Sequence, residues 1–192
     1  MIRVLTAGIL GGIMMFLWGY VSHVLLPLGH MGIQSLPSEE TVLTAMRSAI
    51  QEPGLYFFPG MDMSKEPSPE EQRAWEEKYK AGPIGILVYR PQGEQPLALK
   101  QLLTELGSNI LAALVAAFLL TLTQAPFAKR VVLVTLVGAF AWLSISVSQW
   151  NWYGFPTSFT TAEGIDQVVG AFLTGLVLAA IVKPSKPATA TA

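Results

Sequence analysis

Few side chains in this sequence could carry chemistry. Both histidines, His23 and His30, fall in FLWGYVSHVLLPLGH, and His23 lies inside an apolar run. Lipid penalises charge, so an ionisable residue in such a run is a functional candidate by default. His23 stands about one turn before Pro27, only ~6–8 Å from the helix end at 1.5 Å per residue, where water or a headgroup is in reach. Asp166 stands near the start of the last apolar segment and is read at similar depth. Thr160-x-x-Glu163 matches a capping box, which gives Glu163 an ordinary task and leaves Asp166 without one. A His23–Asp166 hydrogen bond would orient the imidazole and close one end of a bundle between the first and fourth helices. Asn109 is the other strongly polar residue read near that level. No acid, base or histidine is read at mid-membrane, so a proton-coupled transporter is not expected.

Metal ligation is the second chemistry to weigh. His30 and Met31 in GHMG, with Met61 and Met63 in MDM, offer imidazole and thioether donors, and soft thioethers select Cu(I). Bis-histidine ligation of haem needs two imidazoles on opposite faces of one ring. Pro27 and Gly29 interrupt the helix between His23 and His30, so one helix cannot clamp a haem with both. No resident cofactor is expected, with copper or haem as the alternative. The chain has no cysteine, which removes disulfides, thiol nucleophiles, Cys-ligated zinc and iron–sulfur clusters. G-x-S-x-G, H-E-x-x-H and P-loop patterns are absent. The acidic run Glu70, Glu71, Glu76 and Glu77, with Arg73, Lys78 and Lys80 among it, reads as a solvated helix face.

The elements that would position these groups are mainly membrane helices. Only 13% of the 192 residues are charged, against about 25% for a soluble domain, and 52% are hydrophobic. A net charge of −1 leaves no surplus of cations for nucleic acid. Val4–Leu28 carries no formally charged side chain and is long enough to span a bilayer with some tilt. A cleaved signal peptide would have a shorter apolar core and small residues at its end, where Trp18, Tyr20 and His23 stand instead. Three further spans are read at Leu106–Leu122, Val131–Val147 and Glu163–Val182. The short link TQAPFAKR predicts that the second and third spans are antiparallel neighbours.

Arg3, Lys129, Arg130, Lys183 and Lys186 all fall on one side of a four-span topology, while the connection from span three into the start of span four has Glu163 and Asp166 and no Lys or Arg. The positive-inside rule makes that basic side the cytoplasm. Gln149–Phe155 (QWNWYGF) then forms an aromatic belt at the outer surface.

Residues 29–105 are a solvated insert that holds most of the acids and prolines. Ser38 before Glu39 and Glu40 reads as an N-cap, and Val42, Leu43, Met46 and Ile50 recur at helical spacing. Ser68-Pro69-Glu70-Glu71 opens a second helix that Gly82 ends. LYFFPG and IGILVYRPQGE read as two short strands. PLALKQLLTELGSN runs without a breaker into the second span, which therefore begins near Pro96.

Small residues pack membrane helices. Gly8 and Gly12 form a GxxxG pair, and Ala171, Gly175 and Ala179 recur every four residues. Packing inside the bundle is the first reading of these positions, and homodimerisation through Gly8/Gly12 is the second.

The expected fold is a membrane protein, mainly α: a four-transmembrane-helix bundle with a small α+β extracytoplasmic insert between helices one and two. The divisions are 1–28, 29–105, 106–182 and a short disordered cytoplasmic tail, 183–192. The expected location is the inner (plasma) membrane of a bacterium, with both termini cytoplasmic. The expected role is a non-catalytic accessory or scaffold that presents the insert to a membrane-protein partner. The aromatic residues Tyr56, Phe57, Phe58, Trp75, Trp150, Trp152 and Tyr153 would be its anchors. Metal or haem binding at the outer face is the alternative, and a small-solute channel or transporter component is the third.

Overall fold

The structure, a computed structural model, describes residues 1–62 and 64–183. Met63 and the tail beyond Lys183 lie outside the described residues. The chain divides into two compact units, the insert Gln34–Gln95 and a membrane unit made of Met1–Ile33 and the chain from Pro96 onward.

In the membrane unit, α1 (Ile2–Tyr20) continues through a π-helical turn, Val21–Leu25. Extended backbone at Leu26 and a short 3-10 turn, Pro27–His30, end the run. Helix α4 covers Leu99–Thr121, and α7 covers Thr157–Ile181. The third span is composite: α5 (Phe127–Ala141), a second π turn at Trp142–Ser146, and α6 (Val147–Tyr153), closed by Gly154 in the left-handed conformation. Among the described residues, four helices are long and apolar enough to cross a membrane. The protein is therefore a multi-pass membrane protein, a four-helix bundle with an α+β insert between its first two spans. The end where α1 begins and α7 finishes is called here the termini end, and the other the insert end.

The order of helices in space departs from the expectation drawn from the short link. Helices α4 and α5 meet only marginally; α4 packs along α1, α1 along α7, and α7 along α5. Small residues decide this. A Cβ on Gly12 would lie 2.4 Å from the Ile110 Cα, and one on Gly8 would lie 2.3 Å from the Leu114 side chain, so α1 and α4 approach nearly backbone to backbone. On the other side, a Cβ on Gly138 would lie 2.6 Å from the Gln167 carbonyl oxygen and 2.5 Å from the Ala171 Cβ. Gly175 in turn faces Val131 and Val134. Ala7, Ala116, Ala117, Leu120, Val134, Leu178 and Val182 form one core shared by all four spans.

Two helix starts also differ from expectation. The fourth span begins at Thr157, not Glu163, so Thr160 is an interior helix residue and not a cap. Polar side chains on TSFTTAEGIDQ pull hydropathy down there, while the backbone is already helical. Helix α4 starts at Leu99, where the Gln101 Oε1 accepts the Ala98 N–H.

The insert contains α2 (Glu39–Ala49), β1 (Gly54–Phe58), α3 (Pro69–Ala81) and β2 (Gly85–Tyr89). The two strands pair antiparallel, Gly54 opposite Tyr89 and Phe58 opposite Gly85. Ser38 does not cap α2 with its side chain. Its backbone is left-handed at φ 50°, which turns the hydroxyl away from the first-turn N–H groups. Ser68 does cap α3: its Oγ accepts the Glu71 N–H, and Glu71 returns the bond to the Ser68 N–H. The Trp75 indole donates to the Pro59 carbonyl, and its ring lies 5.1 Å from that of Tyr79, which also stacks on Phe57.

Lys65, 2.7 Å away, holds the Glu71 carboxyl below the usual range, helped by the Ser68 N–H and hydroxyl. The Ser64 hydroxyl and N–H lower Asp62 in the same way. A carboxyl whose folded pKa is depressed contributes stability above its unfolded pKa and loses it as pH falls through the folded value. The start of α3 should therefore keep its amide protection between pH 7 and pH 5 and lose it below about pH 4. Hydrogen exchange of Gln72 and its neighbours in the intact protein reads this directly, and protection unchanged down to pH 2 would contradict it.

Candidate functional site: the polar stretch of the fourth spanning helix

The polar residues of the membrane unit gather on α7 between Thr160 and Gln167. Asp166 stands more than two turns inside α7, roughly 13 Å from its start at 1.5 Å per residue. It is therefore level with Trp18 and deeper than His23. The Trp18 indole donates to the Asp166 backbone carbonyl at 3.0 Å. A Cβ on Gly170 would lie 3.0 Å from the same ring. The arrangement recurs one and a half turns nearer the insert end. The Trp142 indole donates to the Thr160 carbonyl at 2.8 Å, and a Cβ on Gly164 would lie 2.7 Å from its ring.

In both cases the carbonyl belongs to residue i and the notch to a glycine at i+4. A carbonyl oxygen has two lone pairs, so it can keep its helical N–H and still accept an indole. Glycine at i+4 removes the side chain that would otherwise cover it. Tryptophans from the two flanking helices thus clamp α7 from either side. The second one sits on the π turn Trp142–Ser146, whose widened backbone also carries buried Ser146 towards α7, where the Gln167 Nε2 donates to its Oγ at 3.3 Å. The same Nε2 is 3.3 Å from a Glu163 carboxylate oxygen.

Among the described residues no hydrogen bond joins His23 to Asp166, or Asn109 to either. The His23 Nδ1 faces the Ser22 Oγ at 2.8 Å and the Gly19 carbonyl at 3.2 Å, and the imidazole is exposed. A hydroxyl against an imidazole invites a nucleophile reading. Ser22, however, is fully buried and donates to the Gly19 carbonyl at 3.2 Å, so no substrate can reach it. Asn109 is half-buried on α4. One Asp166 carboxylate oxygen and the Thr160 and Thr174 hydroxyls are buried without a partner among the described residues.

No known protein family, characterised protein or solved structure matches the chain.

The residues weighed for metal do not all fall in one unit. His30 and Met31 belong to the membrane unit, Met61 to the insert, and Met63 lies outside the described residues. Met61 lines a cleft of about 240 Å³ together with Asp62, Lys65, Glu71, Trp75 and Lys78, so two ammonium groups border it. No group of three or more His, Asp or Glu side chains among the described residues could hold a metal ion.

Ala171, Gly175 and Ala179 lie on α7, and the first two face α5. The sequence reading gives no packing role to Trp18, Trp142, Gly138, Gly164 or Gly170. Their partners lie far along the chain (148 residues apart for Trp18 and Asp166), and no local pattern announces them.

Proposed function

We propose that this protein is a non-catalytic accessory or scaffold of the inner (plasma) membrane that presents its insert to a membrane-protein partner on the periplasmic side, with both termini cytoplasmic. One observation carries the reading. Among the described residues the insert's sheet has two strands, each with an unpaired edge, and Leu55 and Val88 stand opposite each other on it, 69% and 71% exposed. Two strands alone are marginal in water, and an apolar cross-strand pair left open is a surface for another protein. Trp75 and Phe57, read from sequence as anchors, are used inside the insert, which leaves the Leu55–Val88 pair as the better candidate. The basic residues at the termini end support the orientation.

A photo-crosslinking residue at Leu55, in native membranes, should give a discrete adduct with one partner, and Val88→Lys should reduce it at least tenfold. The same crosslinker at exposed Gln92 is the control. Equal labelling from Leu55 and Gln92, or an adduct indifferent to Val88→Lys, would remove the proposal.

A further inference from the structure

Helix α5 opens in an unfavourable way. Its N-cap is Pro126, no side chain caps it, its first turn holds no acid, and Lys129 and Arg130 stand there instead. The N-terminal end of a helix carries partial positive charge from its free N–H groups, so cations at that end repel it. Arg130 is also 5% exposed, and its Nε is buried with no partner among the described residues. Side chains on a helix lean towards its N-terminus, so this guanidinium runs back over the start of α5. There its Nη1 donates to the Val182 carbonyl at the end of α7.

The carbonyl satisfies one donor and leaves the charge in place. Among the described residues the three salt bridges are all in the insert, and none involves Arg3, Lys129, Arg130 or Lys183. The acids of the membrane unit, Glu105, Glu163 and Asp166, lie towards the insert end. The termini end therefore combines an uncapped helix start, a buried guanidinium with an idle donor, and the exposed cations Lys129, Lys183 and Arg3.

We propose that the termini end binds a phosphate-bearing anion between the start of α5 and the end of α7, the phosphodiester headgroup of an anionic phospholipid or a free phosphate. Helix N-termini bind phosphate through backbone N–H groups, and arginine adds a planar set of donors matched to its oxygens. Leu122 and Phe127 flank the site and are 68% and 46% exposed, which suits acyl chains and favours the lipid. The anion would reverse the poor electrostatics of the α5 start. This inference stands apart from the partner proposal, because it concerns the membrane unit and not the insert.

The full-length protein in neutral detergent is titrated with phosphatidylglycerol, phosphatidylcholine or inorganic phosphate. Thermal unfolding and native mass spectrometry are the readouts. Phosphatidylglycerol should be retained and should raise Tm, while phosphatidylcholine should do neither. A shift with inorganic phosphate alone would name the free anion as the source, and a shift with the lipid alone would name the headgroup. The double variant Lys129→Gln/Lys183→Gln, altered only at exposed positions, should bind about thirtyfold more weakly. Lys78→Gln/Lys80→Gln in the insert should bind as the wild type does. Indifference to both anions, or equal loss in both double variants, would overturn the site.

Discussion

Gly12→Ala should separate α1 from α4 and destabilise the bundle by about 2–3 kcal/mol, the upper part of the range for overpacking a tight interior. The added methyl would meet the Ile110 Cα at 2.4 Å and its N at 2.6 Å. Those are backbone atoms, so no rotamer change can relieve the contact. The helices must move apart, and the close contact that holds membrane helices together is lost along the whole seam. Gly8→Ala should be milder than its 2.3 Å contact suggests, because its nearest atoms belong to the Leu114 side chain. Gly19→Ala is the internal control. Nothing beyond its chain neighbours and the adjoining helix backbone lies within 4 Å of its Cβ position, and alanine is the better helix former, so stability should hold or rise slightly. Unfolding in mixed micelles ranks the three variants. If Gly12→Ala and Gly19→Ala behaved alike, the backbone approach of α1 and α4 would be wrong.

Trp142→Ala should lower stability by about 3–5 kcal/mol, since it empties a large part-buried site and removes the indole donor from the Thr160 carbonyl. Trp142→Phe keeps most of the volume and should lose about 1 kcal/mol for the hydrogen bond. Gly164 supplies the sharper test. In the wild type, a methyl at 164 would meet the indole at 2.7 Å and 2.8 Å, so Gly164→Ala should be damaging. In the Trp142→Ala background the same methyl would enter the vacated space and should be nearly neutral. A coupling energy of about 1–3 kcal/mol between the two positions is expected. Additive effects would mean that the notch and the ring do not belong to one device.

The four spans were legible because lipid demands long apolar runs, and few other structures satisfy that demand. The strands Gly54–Phe58 and Gly85–Tyr89 and the Ser68 cap were legible because turn and capping chemistry is local. What is not local was missed. Hydropathy starts the fourth span at Glu163, although the helix starts at Thr157, and this puts Asp166 too near the surface to meet Trp18. The link TQAPFAKR is short, but loop length constrains only the ends of α4 and α5. Glycine seams on α1 and α5 chose other neighbours for them. Arg130 was read as a loop charge, and the structure buries it against the last carbonyl of α7. The π turns at Val21–Leu25 and Trp142–Ser146 have no signature in composition.

The proposed role depends on which side of the membrane the insert occupies. The chain has no cysteine, so a single introduced thiol reports its own side without background. Gln92→Cys in the insert and Gln124→Cys between α4 and α5 are both exposed positions. A membrane-impermeant maleimide added to spheroplasts should label Gln92→Cys at once and Gln124→Cys only after lysis. Labelling of Gln124→Cys in intact spheroplasts, with Gln92→Cys protected, would contradict the orientation and take the partner-presenting surface with it.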